Sequence, residues 1–251
     1  MRLRQYSERI PKPMVPIGYR PILWHVMRYY AHFGHREFIL CLGYKGDVIK
    51  EYFLNYSEAL SNDFVLSDGG QRVQLLNRDI ADWEITFVDT GTQANIGQRL
   101  KAVQAFVQDE DMFLANYTDN LTDFPLPRIV DQARSSDAVA TFLCVRPSAT
   151  FHVVSTDEGG RVERIEESRN GDLWINGGYM ALRPEIFSHM KDGEELVYDP
   201  FQRLIELGRL RAHRYEGFWV AMDTFKEWQQ LQDLYASGAA PWELWKSPER
   251  R

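Results

Sequence analysis

Four short stretches of this chain carry side chains able to handle a phosphorylated ligand. Lys12 stands between Pro11 and Pro13. Proline fixes φ and restrains the residue before it, which predicts a lysine presented on a stiff, extended loop where its ammonium meets phosphate or simply solvent. Asn116-Tyr-Thr-Asp119-Asn-Leu-Thr-Asp123 follows the apolar run Met112–Ala115. Ligands of open α/β sheets bind beyond the carboxyl ends of strands, and a carboxylate there can hold Mg²⁺ against phosphates. The same residues also suit a plain turn. Met222-Asp223-Thr224 follows an aromatic strand expected over Glu216–Ala221. Asp223 either joins Asp119 in a metal pair or caps the last helix. Asn176-Gly177-Gly178 offers close backbone approach together with an amide donor and acceptor, or a bulge in a strand.

Other chemistries lack their residues. His32 and His35 are three apart with no third ligand in sequence. The chain has no Cys-x-x-Cys, no Walker loop and no Gly-x-Ser-x-Gly. Thiol redox, P-loop hydrolysis and hydrolase readings are therefore unsupported.

The elements that must position these residues alternate. Apolar spacing predicts helices over Pro21–Phe33, Asp47–Tyr56, Gly97–Val107, Ile129–Arg134 and Phe225–Tyr235. Compact apolar or alternating runs predict strands over Phe38–Leu42, which reads as buried on both faces, Trp83–Val88, Met112–Asn116 and Ala138–Val145. Asp157-Glu-Gly-Gly predicts a hairpin within Val153–Ile165, and paired glycines interrupt a strand over Trp174–Leu182. Trp242 and Trp245 are expected to pack the tail down. Strand, helix and strand in repeated order argue for an α/β layered fold with a mixed, mostly parallel sheet flanked by helices. No linker or internal repeat divides the chain. We therefore expect one domain over residues 1–251.

Composition bounds the rest. The 251 residues are 44% hydrophobic and 26% charged, with 29 basic against 36 acidic side chains and a formal charge of −7. That balance excludes disordered and fibrous classes and argues against nucleic acid or membrane partners engaged through bulk charge. Cys41 and Cys144 lie in apolar strand-like runs and read as small buried hydrophobes in a reducing cytoplasm. No apolar run reaches the roughly 20 residues that span a bilayer.

Taken together, the segments resemble the sugar-1-phosphate nucleotidylyltransferases, and most closely their glucose-1-phosphate cytidylyltransferase branch. The resemblance runs nearly end to end through Pro11-Lys-Pro-Met, Cys41-Leu-Gly-Tyr-Lys-Gly, Val88-Asp-Thr-Gly91, Gly97-Gln-Arg-Leu-Lys101, Asn116-Tyr-Thr-Asp119, Ile175-Asn-Gly-Gly178 and Gly217-Phe-Trp-Val-Ala-Met-Asp-Thr224. It implies a Rossmann-like, glycosyltransferase-A-like nucleotidyltransferase fold, with a nucleotide-binding part over 1–145 and a sugar-binding part plus C-terminal helix over 146–251. It also implies a reaction in which CTP and α-D-glucose 1-phosphate give CDP-glucose and pyrophosphate for deoxysugar and surface polysaccharide synthesis. By the resemblance Asp119 and Asp223 coordinate Mg²⁺, and Lys12 contacts nucleotide or transferring phosphate. Arg99 holds the nucleotide, and Asn176, Gly177 and Glu167 line the sugar site. Relatives commonly form homo-oligomers.

The chain departs from the family pattern in three places. The family opens with a strand and Gly-Gly-x-Gly-Thr-Arg-Leu. Here Arg2 matches the arginine of that motif, while the first strand and its glycines are missing, which is expected to leave neighbouring backbone groups unpaired. Glu167-Ser168-Arg169 replaces a Glu-Lys-Pro element, so Arg169 takes the place of a phosphate-binding lysine. Asn120 stands where glycine usually follows the metal aspartate, and is expected to crowd that loop. The competing reading is a non-catalytic sugar-nucleotide-binding or regulatory paralogue.

Overall fold

Helix spacing and caps translate directly into structure. The computed structural model describes residues 10–147, 152–167 and 173–246. Pro21 opens helix α1 (Ile22–His32), whose residues Ile22 to Met27 are all buried, and Gly34 leaves it at φ +95°. A left-handed exit of this kind favours glycine. Helix α2 (Gly46–Leu54) and the short α3 (Glu58–Ser61) follow. The amphipathic stretch expected over Gly97–Val107 breaks at Val103 into α4 (Ile96–Ala102) and α5 (Gln104–Val107). Asn95 and Gln98 form a capping box at the start of α4. Helices α6 (Pro127–Arg134), α7 (Asp199–Glu206) and α8 (Phe225–Ala236) follow along the chain.

The strands are β1 (Pro16–Ile17), β2 (Arg20–Pro21), β3 (Glu37–Leu42), β4 (Phe64–Ser67), β5 (Arg72–Leu75), β6 (Glu84–Asp89), β7 (Phe113–Asn116) and β8 (Asn120–Thr122). They continue with β9 (Ala140–Val145), β10 (His152–Thr156), β11 (Val162–Glu167), β12 (Ile175–Leu182), β13 (Leu210–Tyr215) and β14 (Trp219–Ala221). Pairing is mixed. β3 with β6 and β13 with β9 run parallel, while β12 lies antiparallel between β9 and β7. The expected hairpin is β10–β11, and β12 slips register against β9 between Asn176 and Met180, where Gly178 has φ +77°. The strand expected over Glu216–Ala221 is β14, shorter at its start, while the sequence did not announce β13 or the β4–β5 hairpin.

Three apolar clusters hold the layers. The first joins α1 and α6 to β9, β12, β14 and α8, and Trp242 is fully buried in it, as the tail's tryptophans suggested. The second packs Val103, Val107, Ile186, Phe187 and Leu204 against β9 and β12. The third sets Leu23 and Met27 of α1 on Leu40, Leu42 and Ile49. Only Leu40 and Leu42 of β3 are buried, so this strand is not covered on both faces as expected. Cys41 and Cys144 are likewise half-buried.

The reason is a cavity. Among the described residues β3 pairs on one edge with β6, and β7 on one edge with β12. The space between their other edges is a cavity of about 1310 Å³, lined by Glu37 to Leu42 on one side and Met112 to Asn116 on the other. Strands in a sheet lie about 4.8 Å apart, so these two edges do not bond each other across it.

Candidate active site

The Lys12 turn is built locally and clamped from afar. The extended chain stops at Pro11 (φ −67°, ψ 149°), and Lys12–Met14 curl into one turn of 3-10 helix. The expected extended loop is therefore a turn at the lysine itself. The amide of Met14 donates to the Pro11 carbonyl at 2.8 Å and that of Val15 to the Lys12 carbonyl at 3.1 Å, while Val15 and Ile17 anchor the segment in the first core. Helix α8 holds it in place: Trp228 Nε1 and Gln232 Nε2 each donate to the Pro16 carbonyl at 2.9 Å. The amide of Gly18 donates to Gln232 Oε1 at 2.9 Å.

Asp119 and Asp223 meet because β8 and β14 pair antiparallel, Ala221 opposite Asn120 and Trp219 opposite Thr122. The Met222 amide donates to the Asp119 carbonyl at 2.7 Å, which closes the ladder at the site. Asp223 is not the cap of α8. Thr224 is, in a capping box with Glu227, and Glu227 Oε2 accepts the amides of Asp223 and Thr224 at 2.9 and 2.8 Å. The Asp223 carboxylate is thereby left for other work.

Lys12 Nζ donates to Asp119 Oδ2 and to Asp223 Oδ1, each at 2.6 Å. The two carboxylates thus converge on one cationic point from strands far apart in sequence. The side chains are partly open, 32% for Lys12, 28% for Asp119 and 63% for Asp223. Burial alone would lower the Lys12 pKa, but the charge of Asp119 and the hydrogen bonds to both aspartates outweigh it and hold the pKa above its ordinary value.

Arg99 shares the cavity wall with Lys12 and Asp119. Its Nη1 donates to Thr90 Oγ1 at 2.8 Å and to the Cys41 carbonyl at 3.4 Å. Asn176 is tied to this wall through Tyr117, a residue the sequence did not single out: Asn176 Nδ2 donates to Tyr117 Oη at 3.3 Å, and Asn176 Oδ1 accepts the Gly178 amide at 2.9 Å. Gly177 lends its carbonyl to Trp219 Nε1 at 2.9 Å. Asn120 is buried and donates to Asp119 Oδ1 at 3.4 Å, so it braces the aspartate rather than crowding the loop.

Not every expected residue is gathered here. Glu167 stands exposed at the end of the β10–β11 hairpin, opposite His152, away from the Lys12 cluster's hydrogen bonds. Arg2 and Arg169 lie outside the described residues. Two supports were missed, Glu227 and Tyr117. For Glu227 the signal was present in Thr224-Phe-Lys-Glu227, a capping-box spacing. For Tyr117 no local signal existed.

A family profile described as nucleotidyl transferase matches residues 1–228. A glucose-1-phosphate cytidylyltransferase of Salmonella typhi is 36% identical over 247 residues, covering 98% of this chain and 95% of that protein. This chain belongs to the nucleotidyl transferase family. Within it, the chain falls in the glucose-1-phosphate cytidylyltransferase branch. Solved structures agree on the fold. An apo UDP-glucose pyrophosphorylase superposes with TM-score 0.66 at 15% identity, over 92% of each chain. HddC from Yersinia pseudotuberculosis gives 0.63 at 18% identity, over 94% of each. As a family member the chain is a nucleotidyltransferase enzyme, with a Rossmann-like α/β architecture. Among the described residues no helix is long and apolar enough to cross a membrane.

Proposed function

We propose that this nucleotidyltransferase joins CTP to α-D-glucose 1-phosphate, releasing pyrophosphate and CDP-glucose for surface polysaccharide synthesis. The observation that carries the proposal is the convergence of Asp119 and Asp223 on the Lys12 ammonium, 2.6 Å from each. A phosphate oxygen of the sugar phosphate attacks the α-phosphorus in line. The bond to the β-phosphate oxygen breaks, and pyrophosphate leaves with its electron pair. Such transfers need positioning and charge neutralisation more than covalent help.

The donor set fits Mg²⁺. Two hard carboxylate oxygens face one point, and among the described residues no cluster of three or more histidine, cysteine or acidic side chains competes with them. Mg²⁺ is commonly held by one or two carboxylates and completes its shell with water and phosphate oxygens. Bound there, it would neutralise charge on the phosphates during transfer. Lys12 supplies positive charge to the transferring phosphate. The Arg99 guanidinium, steadied by Thr90, holds the nucleotide, and Asn176 with the Gly177 backbone meets the sugar hydroxyls.

The test is pyrophosphate release with CTP, Mg²⁺ and glucose 1-phosphate, run beside UTP and dTTP. Turnover with CTP, lost in Asp119→Asn and Asp223→Asn, supports the reading. The same assay on a chain extended ahead of Met1 by an apolar strand and glycine-rich loop asks whether the cavity between β3 and β7 limits CTP binding. A non-catalytic paralogue would release no pyrophosphate in either form with any nucleotide and sugar phosphate. The retained and converging Asp119 and Asp223 speak against that alternative.

A further inference from the structure

Lys12 is assigned to a phosphate, yet its ammonium lies between the two carboxylates assigned to a cation. Both assignments cannot hold in one state. We propose that Lys12 is the resident counter-ion of Asp119 and Asp223, and that a divalent cation binds by displacing its ammonium toward the phosphates. The proposal rests on the reading that these aspartates are the metal ligands.

The geometry allows the exchange. Mg²⁺ sits about 2.0–2.1 Å from its oxygen ligands, so it needs the oxygens that now bracket Nζ. Without any cation, two carboxylates would face each other at close range, and like charges so placed repel. Lys12 removes that repulsion. Its backbone is locked by the 3-10 turn and by the bonds from Trp228 and Gln232 to Pro16, so the flexible four-carbon stem is the moving part. The side chain is a third exposed and opens on the cavity shared with Arg99 and Asp119. An ammonium released there stays beside the phosphates it is meant to meet.

Two effects of opposite sign follow when Lys12 is removed. Binding of the metal alone tightens, because no ion pairs have to break. Binding of nucleotide with metal weakens, because the phosphate loses a charge.

Mn²⁺ binding to the nucleotide-free full chain, read by electron paramagnetic resonance, tests this directly. Lys12→Met is expected to bind Mn²⁺ about tenfold more tightly than the unaltered protein, while Lys12→Arg, which keeps the charge, stays within about threefold. The Mn²⁺-dependent rise in Tm should likewise be larger for Lys12→Met. Equal or weaker Mn²⁺ binding by Lys12→Met overturns the proposal. Asp119→Asn and Asp223→Asn separate the two layers. If they abolish Mn²⁺ binding while Lys12→Met leaves it unchanged, the exchange fails and the metal site stands. If they leave Mn²⁺ binding intact, both fail. Should Lys12→Met not fold, ¹⁵N-lysine spectra of the unaltered protein decide: the Nζ resonance missing from Lys12→Arg must move on Mg²⁺ saturation, and a stationary resonance rejects the exchange.

Discussion

Glu227 holds Asp223 from behind, its Oε2 accepting the Asp223 amide at 2.9 Å and the Thr224 amide at 2.8 Å. One carboxylate therefore caps α8 and at the same time sets the backbone from which the Lys12-bound carboxylate of Asp223 projects. Glu227→Ala is expected to cost about 1 kcal/mol of stability by loss of the cap, and to raise the Mg²⁺ concentration needed for half-maximal pyrophosphate release several-fold. Glu227→Gln keeps an accepting oxygen and should stay near the unaltered protein in both. Equal Mg²⁺ requirement in the alanine variant would reduce Glu227 to a cap.

Arg99 and Gly43 make a pair of predictions that must agree. A Cβ at Gly43 would lie 2.5 Å from Arg99 Nη2 and 2.7 Å from Nη1. The contact is with the far end of a flexible side chain, so Gly43→Ala folds but pushes the guanidinium aside. It should reproduce Arg99→Lys, which loses the planar fork. Both are expected to raise KM for the nucleotide about tenfold and to change kcat less. A Gly43→Ala enzyme with unaltered KM would remove Arg99 from the nucleotide site.

Gly97 is where helix α4 touches the loop before α7. A Cβ there would sit 2.2 Å from the Glu194 carbonyl oxygen and 3.1 Å from the Leu196 amide, both backbone. Neither can swing away, and Asn95 Nδ2 already ties α4 to the Gly193 carbonyl at 3.0 Å. Gly97→Ala should cost about 2 kcal/mol in urea unfolding. It should also weaken nucleotide binding, because Arg99 lies on the displaced helix.

His25 gives the fold a pH dependence. It is fully buried, and burial lowers its pKa to about 4, with the nearby Arg20 and Lys246 charges acting the same way against the Ile17 bond. Its Nε2 bonds the Ile17 carbonyl at 3.0 Å, and its Nδ1 accepts from Trp242 Nε1 at 3.3 Å, which requires the neutral ring. In the unfolded chain histidine takes up a proton near pH 6.5. Between about pH 6.5 and 4 the unfolded state therefore binds more protons. His25's contribution is full above pH 6.5 and is lost as pH falls to 4, about 3 kcal/mol in all. Urea unfolding at pH 7 and 4.5 should show this loss, and His25→Gln should flatten it while lowering stability at both. An equal slope in the variant would assign the acid sensitivity elsewhere.

Much of the local structure was legible in the residues themselves. The apolar spacing of Ile22 to Tyr30, the glycine at 34, the Asp157-Glu-Gly-Gly turn and the paired glycines at 177 and 178 each carry a short-range physical preference. The observed elements fall within a few residues of those signals. Lys12, Asp119 and Asp223 were likewise marked by residue type and by their places at turns and strand ends. Strands such as β13 and the β4–β5 pair were not, because their partners, not their own pattern, make them strands.

The sequence by itself determined which segments curl or extend, and which side chains could bind phosphate and cation. Only the tertiary structure decided that Lys12 would lie against carboxylates 107 and 211 residues away, that Thr224 rather than Asp223 would cap α8, and that Tyr117 would join the Asn176 wall. The physical reason is range. Helix periods and caps are settled within a turn or two of chain. The meeting of Asp119 with Asp223 depends on the register of β8 against β14, which is set by burying Leu121 and Val220 in a core assembled from the whole molecule.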